Sequence, residues 1–123
     1  MLFIGPPFGN YISLPGCKSV KGSYTLEKRP GLLKQIINTL YYDFTLNGWV
    51  NKIGLRNKGI DYGIKNYNHK TDIISIAILK EDDIEKFKKK LPENTNIEIN
   101  ISCPNINKQL INTNLQGFLN DKR

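Results

Sequence analysis

Of the 123 residues only two are cysteine and one is histidine. Cys17 and Cys103 lie far apart and match no metal-ligand spacing, and His69 has no partner pattern, so the usual zinc motifs are excluded. His69 reads as a surface-loop residue. Long apolar runs are missing as well. Met1-Leu2-Phe3-Ile4 is too short for the core of a signal peptide, and no stretch approaches the roughly 20 apolar residues of a membrane-spanning helix. There is no internal repeat and no low-complexity block. These absences point to a cytoplasmic protein without a membrane partner or metal, its thiols free in a reducing compartment.

What is present suits one domain of modest size, with 39% hydrophobic and 24% charged residues. Lysine plus arginine number 18 against 11 acidic residues, a net charge of +7. Such an excess allows a nucleic-acid partner. The charges are scattered, however, apart from Lys86, Lys88, Lys89 and Lys90. Lysine, asparagine and isoleucine dominate together, as an A/T-rich coding sequence produces. A compositional origin therefore outweighs a nucleic-acid role.

Along the chain, Leu2-Phe3-Ile4 reads as a short strand closed by Gly5-Pro6-Pro7, and Lys18 to Thr25 as a second strand. Pro30 suits a helix start. Leu32, Leu33, Ile36, Ile37 and Leu40 recur at helical spacing, predicting an amphipathic helix from 31 to about 42. Asn47-Gly48 marks a turn, Trp49 to Leu55 a loop or short strand, Asn57-Lys58-Gly59 another turn, and residues 60 to 66 one or two helical turns. Ile73-Ile74-Ser75-Ile76-Ala77-Ile78-Leu79 is a near-continuous β-branched run, the mark of a strand buried on both faces in a parallel sheet. A helix follows at 82 to 91, with Glu81, Asp82 and Asp83 at its positive end and the lysines at its negative end. Residues 95 to 102 alternate: Ile97, Ile99 and Ile101 on one face, Glu98, Asn100 and Ser102 on the other. Strand, helix and strand in this order predict a parallel crossover.

The alternating strand runs into Asn100-Ile101-Ser102-Cys103-Pro104-Asn105. A thiol between asparagines at a strand's C-terminal end is a chemical arrangement, because amides donate and accept hydrogen bonds and a thiol exchanges a proton. Taken singly, Cys103 is more often a small buried hydrophobe, Lys21 a solvated surface lysine, and Asn51 and Asn105 turn formers.

Three segments together resemble the dihydroorotate dehydrogenases, flavin enzymes of pyrimidine synthesis. They are Val20-Lys21-Gly22-Ser23-Tyr24-Thr25-Leu26-Glu27-Lys28-Arg29-Pro30-Gly31, then Asn51-Lys52-Ile53-Gly54-Leu55-Arg56-Asn57-Lys58-Gly59, then the Asn-x-Ser-Cys-Pro-Asn run at 100–105. The resemblance implies an α/β fold, a partial (β/α)8 barrel of about four β/α units over residues 1–105, followed by a polar, partly helical tail at 106–123. It implies FMN as cofactor and oxidation of dihydroorotate to orotate. Cys103 matches the family's general base. Lys21, Asn51, Gly54, Leu55, Asn100 and Asn105 match residues that hold the pyrimidine; Lys21, Gly22 and Asn100 match those beside the flavin. The matching segments correspond to the N-terminal half of the family's barrel, so the expected partner is a separate C-terminal half or a second copy. A catalytically inactive remnant or a small pyrimidine- or flavin-binding module is the alternative. The sequence also departs from the family: the span before Lys21 is too short for the usual first helix, one extra residue lies between Lys21 and Thr25, and Gly31-Leu32-Leu33 replaces a Gly-Asn-Pro.

Overall fold

The computed structural model describes residues 1–101 together with Gln116 and Phe118. Its centre is a four-stranded sheet of β1 (Leu2–Ile4), β2 (Cys17–Tyr24), β5 (Asp72–Ile76) and β6 (Ile97–Ile99), in the order β1-β2-β5-β6 and parallel throughout. Spatial order follows chain order without reversal. Right-handed crossovers then place successive connections on one face, the rule of a barrel wall rather than of a doubly wound sheet. The architecture is thus that of a partial α/β barrel.

The β-branched run forms β5 because it is flanked on both sides. Ile74 and Ile76 are 1% and 0% exposed, and Ser75, pointing the other way, is 0% exposed. On the Ile74 side lies the hydrophobic core: Tyr24 of β2, Ile60 of α2 (Ile60–Lys65), Ile84 and Phe87 of α3 (Asp83–Lys90), then Leu91 and Phe118. Ile97 and Ile99 close this core from β6. The lysines of α3 end the helix as its dipole requires, and Lys90 reaches across to Asp61 of α2 at 2.8 Å.

Two segments differ from expectation. The first amphipathic helix, α1 (Leu32–Thr39), stops three residues early, since Leu40 is already extended. Tyr41–Asp43 forms β3 instead, antiparallel to β4 (Gly48–Val50). Tyr42 faces Trp49 edge-on at 5.6 Å, a cross-strand aromatic pair that outbids continuation of the helix. In the hairpin loop Asp43 accepts from the backbone N–H groups of Thr45 and Leu46 and from the Thr45 hydroxyl. These bonds, the hydroxyl's first, hold its carboxyl below the usual range. Moreover α1 buries none of its residues, and Leu33 and Ile37 are 75% and 80% exposed. The connection from β1 to β2 holds only a 3₁₀ turn at Phe8–Asn10, as the short span requires. The expected tail at 106–123 lies outside the described residues except for Gln116 and Phe118.

Candidate functional site

The sheet face opposite the core carries polar side chains at the C-terminal ends of β2, β5 and β6. Register pairs Ser75 with Glu98, so both project to that face. The Ser75 hydroxyl donates to Glu98 Oε1 at 3.2 Å and contacts the Ser23 hydroxyl at 2.8 Å. Asn100 Nδ2 donates to Ser23 Oγ at 2.7 Å, and the Asn100 backbone N–H bonds Ile76 O at 2.8 Å. The result is a row of hydroxyl, carboxylate and amide groups crossing three strands.

Gly22 makes the approach of β2 to β5 possible. Its φ is +123°, and a Cβ there would lie 2.5 Å from Ser75 O. Asn10 completes this corner, donating to Gly22 O and accepting from Gly22 N–H, both at 2.9 Å.

The segment 51–59 is bound to the segment after β2 chiefly through Asn57, with Arg56 also donating to Pro30 O at 3.3 Å. Asn57 Oδ1 accepts from the N–H groups of Thr25 (3.1 Å) and Gly59 (2.8 Å); its Nδ2 donates to Thr25 Oγ1 and Leu55 O, both at 2.9 Å. Backbone bonds in both directions join Arg29 to Asn57. Gly59, at φ +80°, lies so close that a Cβ would stand 2.9 Å from Lys28 N. Thus Ser23–Asn100 ties the first segment to the third, and Thr25–Asn57 ties the first to the second. Thr25 and Asn57 were inside the matching segments but carried no assigned role. Their signal is a polar residue fixed beside a glycine turn, visible only once a buried partner is known.

Among the expected residues, Asn100 stands in the polar row. Asn51 is exposed and accepts from the Ile53 N–H at 3.3 Å; Gly54 has φ +67° with open space around it; the Leu55 carbonyl is taken by Asn57. Lys21 is placed elsewhere. Its register partner is Ile74, on the core side of the sheet, and its ammonium pairs with Asp72 at 2.9 Å. Burial pushes the Asp72 carboxyl up, but bonds from Lys21, the Asn68 N–H and the Thr71 hydroxyl outweigh it and hold the pKa below the usual value. The ladder shifts register between Lys21 and Tyr24, so Ser23 beyond it reaches the polar row. Cys103 and Asn105 lie outside the described residues. No group of three or more His, Cys, Asp or Glu side chains among the described residues could hold a metal, and no described helix is long and apolar enough to cross a membrane.

A barrel wall with its polar groups at the C-terminal strand ends is the arrangement of the flavin-dependent barrel enzymes to which the sequence motifs point. The dihydroorotate dehydrogenase family matches residues 12–120, and the chain belongs to that family. It is also similar to a protein of Pediococcus pentosaceus (strain ATCC 25745 / CCUG 21536 / LMG 10740 / 183-1w) named "Putative dihydroorotate dehydrogenase A (fumarate)", 36% identical over 75 residues. That match covers 52% of this chain and 25% of the relative. No solved structure matches the chain.

Proposed function

We propose that this chain supplies the pyrimidine-holding side of a cysteine-base dihydroorotate dehydrogenase, acting in the cytoplasm in de novo pyrimidine synthesis. The observation that carries the reading is the joining of all three matching segments through Ser23–Asn100 and Thr25–Asn57. The polar face, with Ser23 and Asn100 beside the side-chain-free Gly22, suits the polar edge of a flavin ring.

Oxidation of dihydroorotate to orotate removes a hydride and a proton from adjacent carbons. Bound FMN supplies the hydride acceptor. Cys103 takes the proton from the carbon next to the carbonyl, acting as thiolate, the form of the side chain that can accept one. Asn51, Asn100 and Asn105 hold the ring by paired donors and acceptors, with the backbone of Gly54 and Leu55 beside them. Lys21 enters only if it is released from Asp72. An eight-stranded barrel has no sheet edge, whereas β1 and β6 each have one strand neighbour among the described residues. A complementary C-terminal half, or a second copy, completes the barrel in this reading, with four β/α units from this chain.

One observation favours a second reading. With its ammonium on Asp72, Lys21 adds no charge to the polar face, which suits a module that binds pyrimidine or flavin without turning over. Dihydroorotate oxidation with added FMN, measured on the chain alone and with its completing half, separates the two. Turnover that disappears in Cys103→Ala supports the enzyme; orotate binding without turnover in either form supports the module.

A further inference from the structure

Orotate and dihydroorotate each carry a carboxylate, and with Lys21 held by Asp72 at 2.9 Å the site described above offers that charge no cation. Cations without a partner gather instead where the loop after β4 ends. Arg29 and Asn57 exchange backbone bonds in antiparallel fashion there, and Gly59 stands against Lys28 N. The pairing brings Lys28, Arg29, Arg56 and Lys58 to one corner. None of the four forms an ion pair among the described residues. Glu27 is the single acid in segments 27–31 and 51–59, and it is exposed. Lys58 lies 4.3 Å from the centre of the Tyr62 ring. Arg56 is different: it is half-buried, and its Nε is buried with no acceptor among the described residues. Buried N–H groups are nearly always paired, and a guanidinium cannot shed the proton to escape the cost. Its Nη1 lies toward Pro30 O at 3.3 Å. The opposite edge of the planar group presents Nε–H and one Nη2–H side by side, the fork that matches two carboxylate oxygens.

We infer that Arg56 is the carboxylate-binding residue of the pyrimidine site: its Nε–Nη2 edge takes the carboxylate of orotate or dihydroorotate and sets the preference for a pyrimidine carboxylate over the neutral ring. Arg56 directly follows Gly54 and Leu55, whose backbone lies beside the ring in the proposed site. The inference rests on that reading for its ligand.

The test titrates the 15N-labelled full chain with orotate and, separately, with uracil, the same ring without the carboxylate. In wild type the Arg56 Nε–H resonance is expected to shift and its solvent exchange to slow with orotate, and to stay in place with uracil. Arg56→Gln removes the charge, and Arg56→Lys keeps the charge but not the fork. Both are expected to weaken orotate about tenfold, near 1.4 kcal/mol, and to leave uracil within about twofold. Backbone resonances of β2 and β5 that stay in place show that the variants are folded. Lys28→Gln, which removes a neighbouring charge, is expected to leave orotate within about twofold. An Arg56 Nε–H resonance indifferent to bound orotate overturns the inference, as does full affinity in Arg56→Lys or an equal loss in Lys28→Gln. Wild type that binds uracil as tightly as orotate overturns it too and leaves the pyrimidine reading standing. An orotate shift at Arg56 with none at Asn51–Leu55 or Asn100 upholds carboxylate capture by Arg56 and overturns the pyrimidine reading; wild type that binds neither compound overturns both.

Discussion

Replacing Lys21 with methionine removes the partner of a carboxylate that is 3% exposed. Methionine keeps most of the stem, so packing is nearly conserved and the charge is what changes. Asp72 retains the Asn68 N–H at 3.0 Å and the Thr71 hydroxyl at 3.0 Å. A fully buried charge stripped of its partner costs roughly 3–5 kcal/mol. Here two hydrogen bonds remain and the lysine side chain is 29% exposed, so the expected cost is about 2 kcal/mol. For a chain of this size that corresponds to a fall in melting temperature of about 8 °C. The pH dependence has a definite sign. The folded pKa of Asp72 is lowered, so its contribution is present above the unfolded value and lost as pH falls below about 4, through the folded value. The lysine supplies part of that lowering, so Lys21→Met flattens the acid limb of the stability curve. Thermal and urea melts by circular dichroism at neutral pH and at pH 3 measure both effects. A neutral-pH melting temperature within a degree of wild type, with the acid limb unchanged, refutes the buried-pair argument.

Other predictions follow from the same geometry. Asn57→Ala leaves the Thr25 and Gly59 N–H groups without their acceptor and is expected to cost about 2 kcal/mol in urea melts. Gly59→Ala forces a side chain into φ +80° against Lys28 N, and a loss of about 1–3 kcal/mol is expected by the same assay. Phe87→Ala empties a core position that is 0% exposed, with an expected loss of about 3–5 kcal/mol. Leu33→Ser with Ile37→Ser, on the exposed stripe of α1, is expected to change the stability of the chain alone by less than about 0.5 kcal/mol; a larger loss in a dilute monomer contradicts the exposure described for that helix.

The parts of the fold legible in the sequence are those where one physical signal dominates. The isoleucine run could only be a strand covered on both sides. The acids and lysines of α3 sit at the ends the helix dipole selects. Alternation at Ile97, Glu98 and Ile99 assigns each residue to the face it occupies. The hairpin was hidden because helical spacing through Leu40 continues into Tyr41 and Tyr42, and only the pairing of Tyr42 with Trp49 decides between helix and strand. The direction of Lys21 was hidden for a different reason. Strand parity depends on register with β5 and on the irregularity before Tyr24, neither of which is local. The same holds for the row from Glu98 to Asn100: Ser23 and Asn100 are 77 positions apart, and no single segment shows that Ser75 lies between Ser23 and Glu98. Motif order disclosed the family; cross-strand register disclosed how its segments are joined.

The central claim is that the three matching segments form one pyrimidine-binding surface. Titrating orotate into the 15N-labelled chain and mapping the shifted resonances tests it most directly. The account predicts saturable shifts confined to Gly22 and Ser23, the loop from Asn51 to Arg56, the Asn100 backbone and side chain, and the resonances of Cys103 and Asn105. Shifts spread over the surface lysines without saturation, or no shifts in those segments, contradict it.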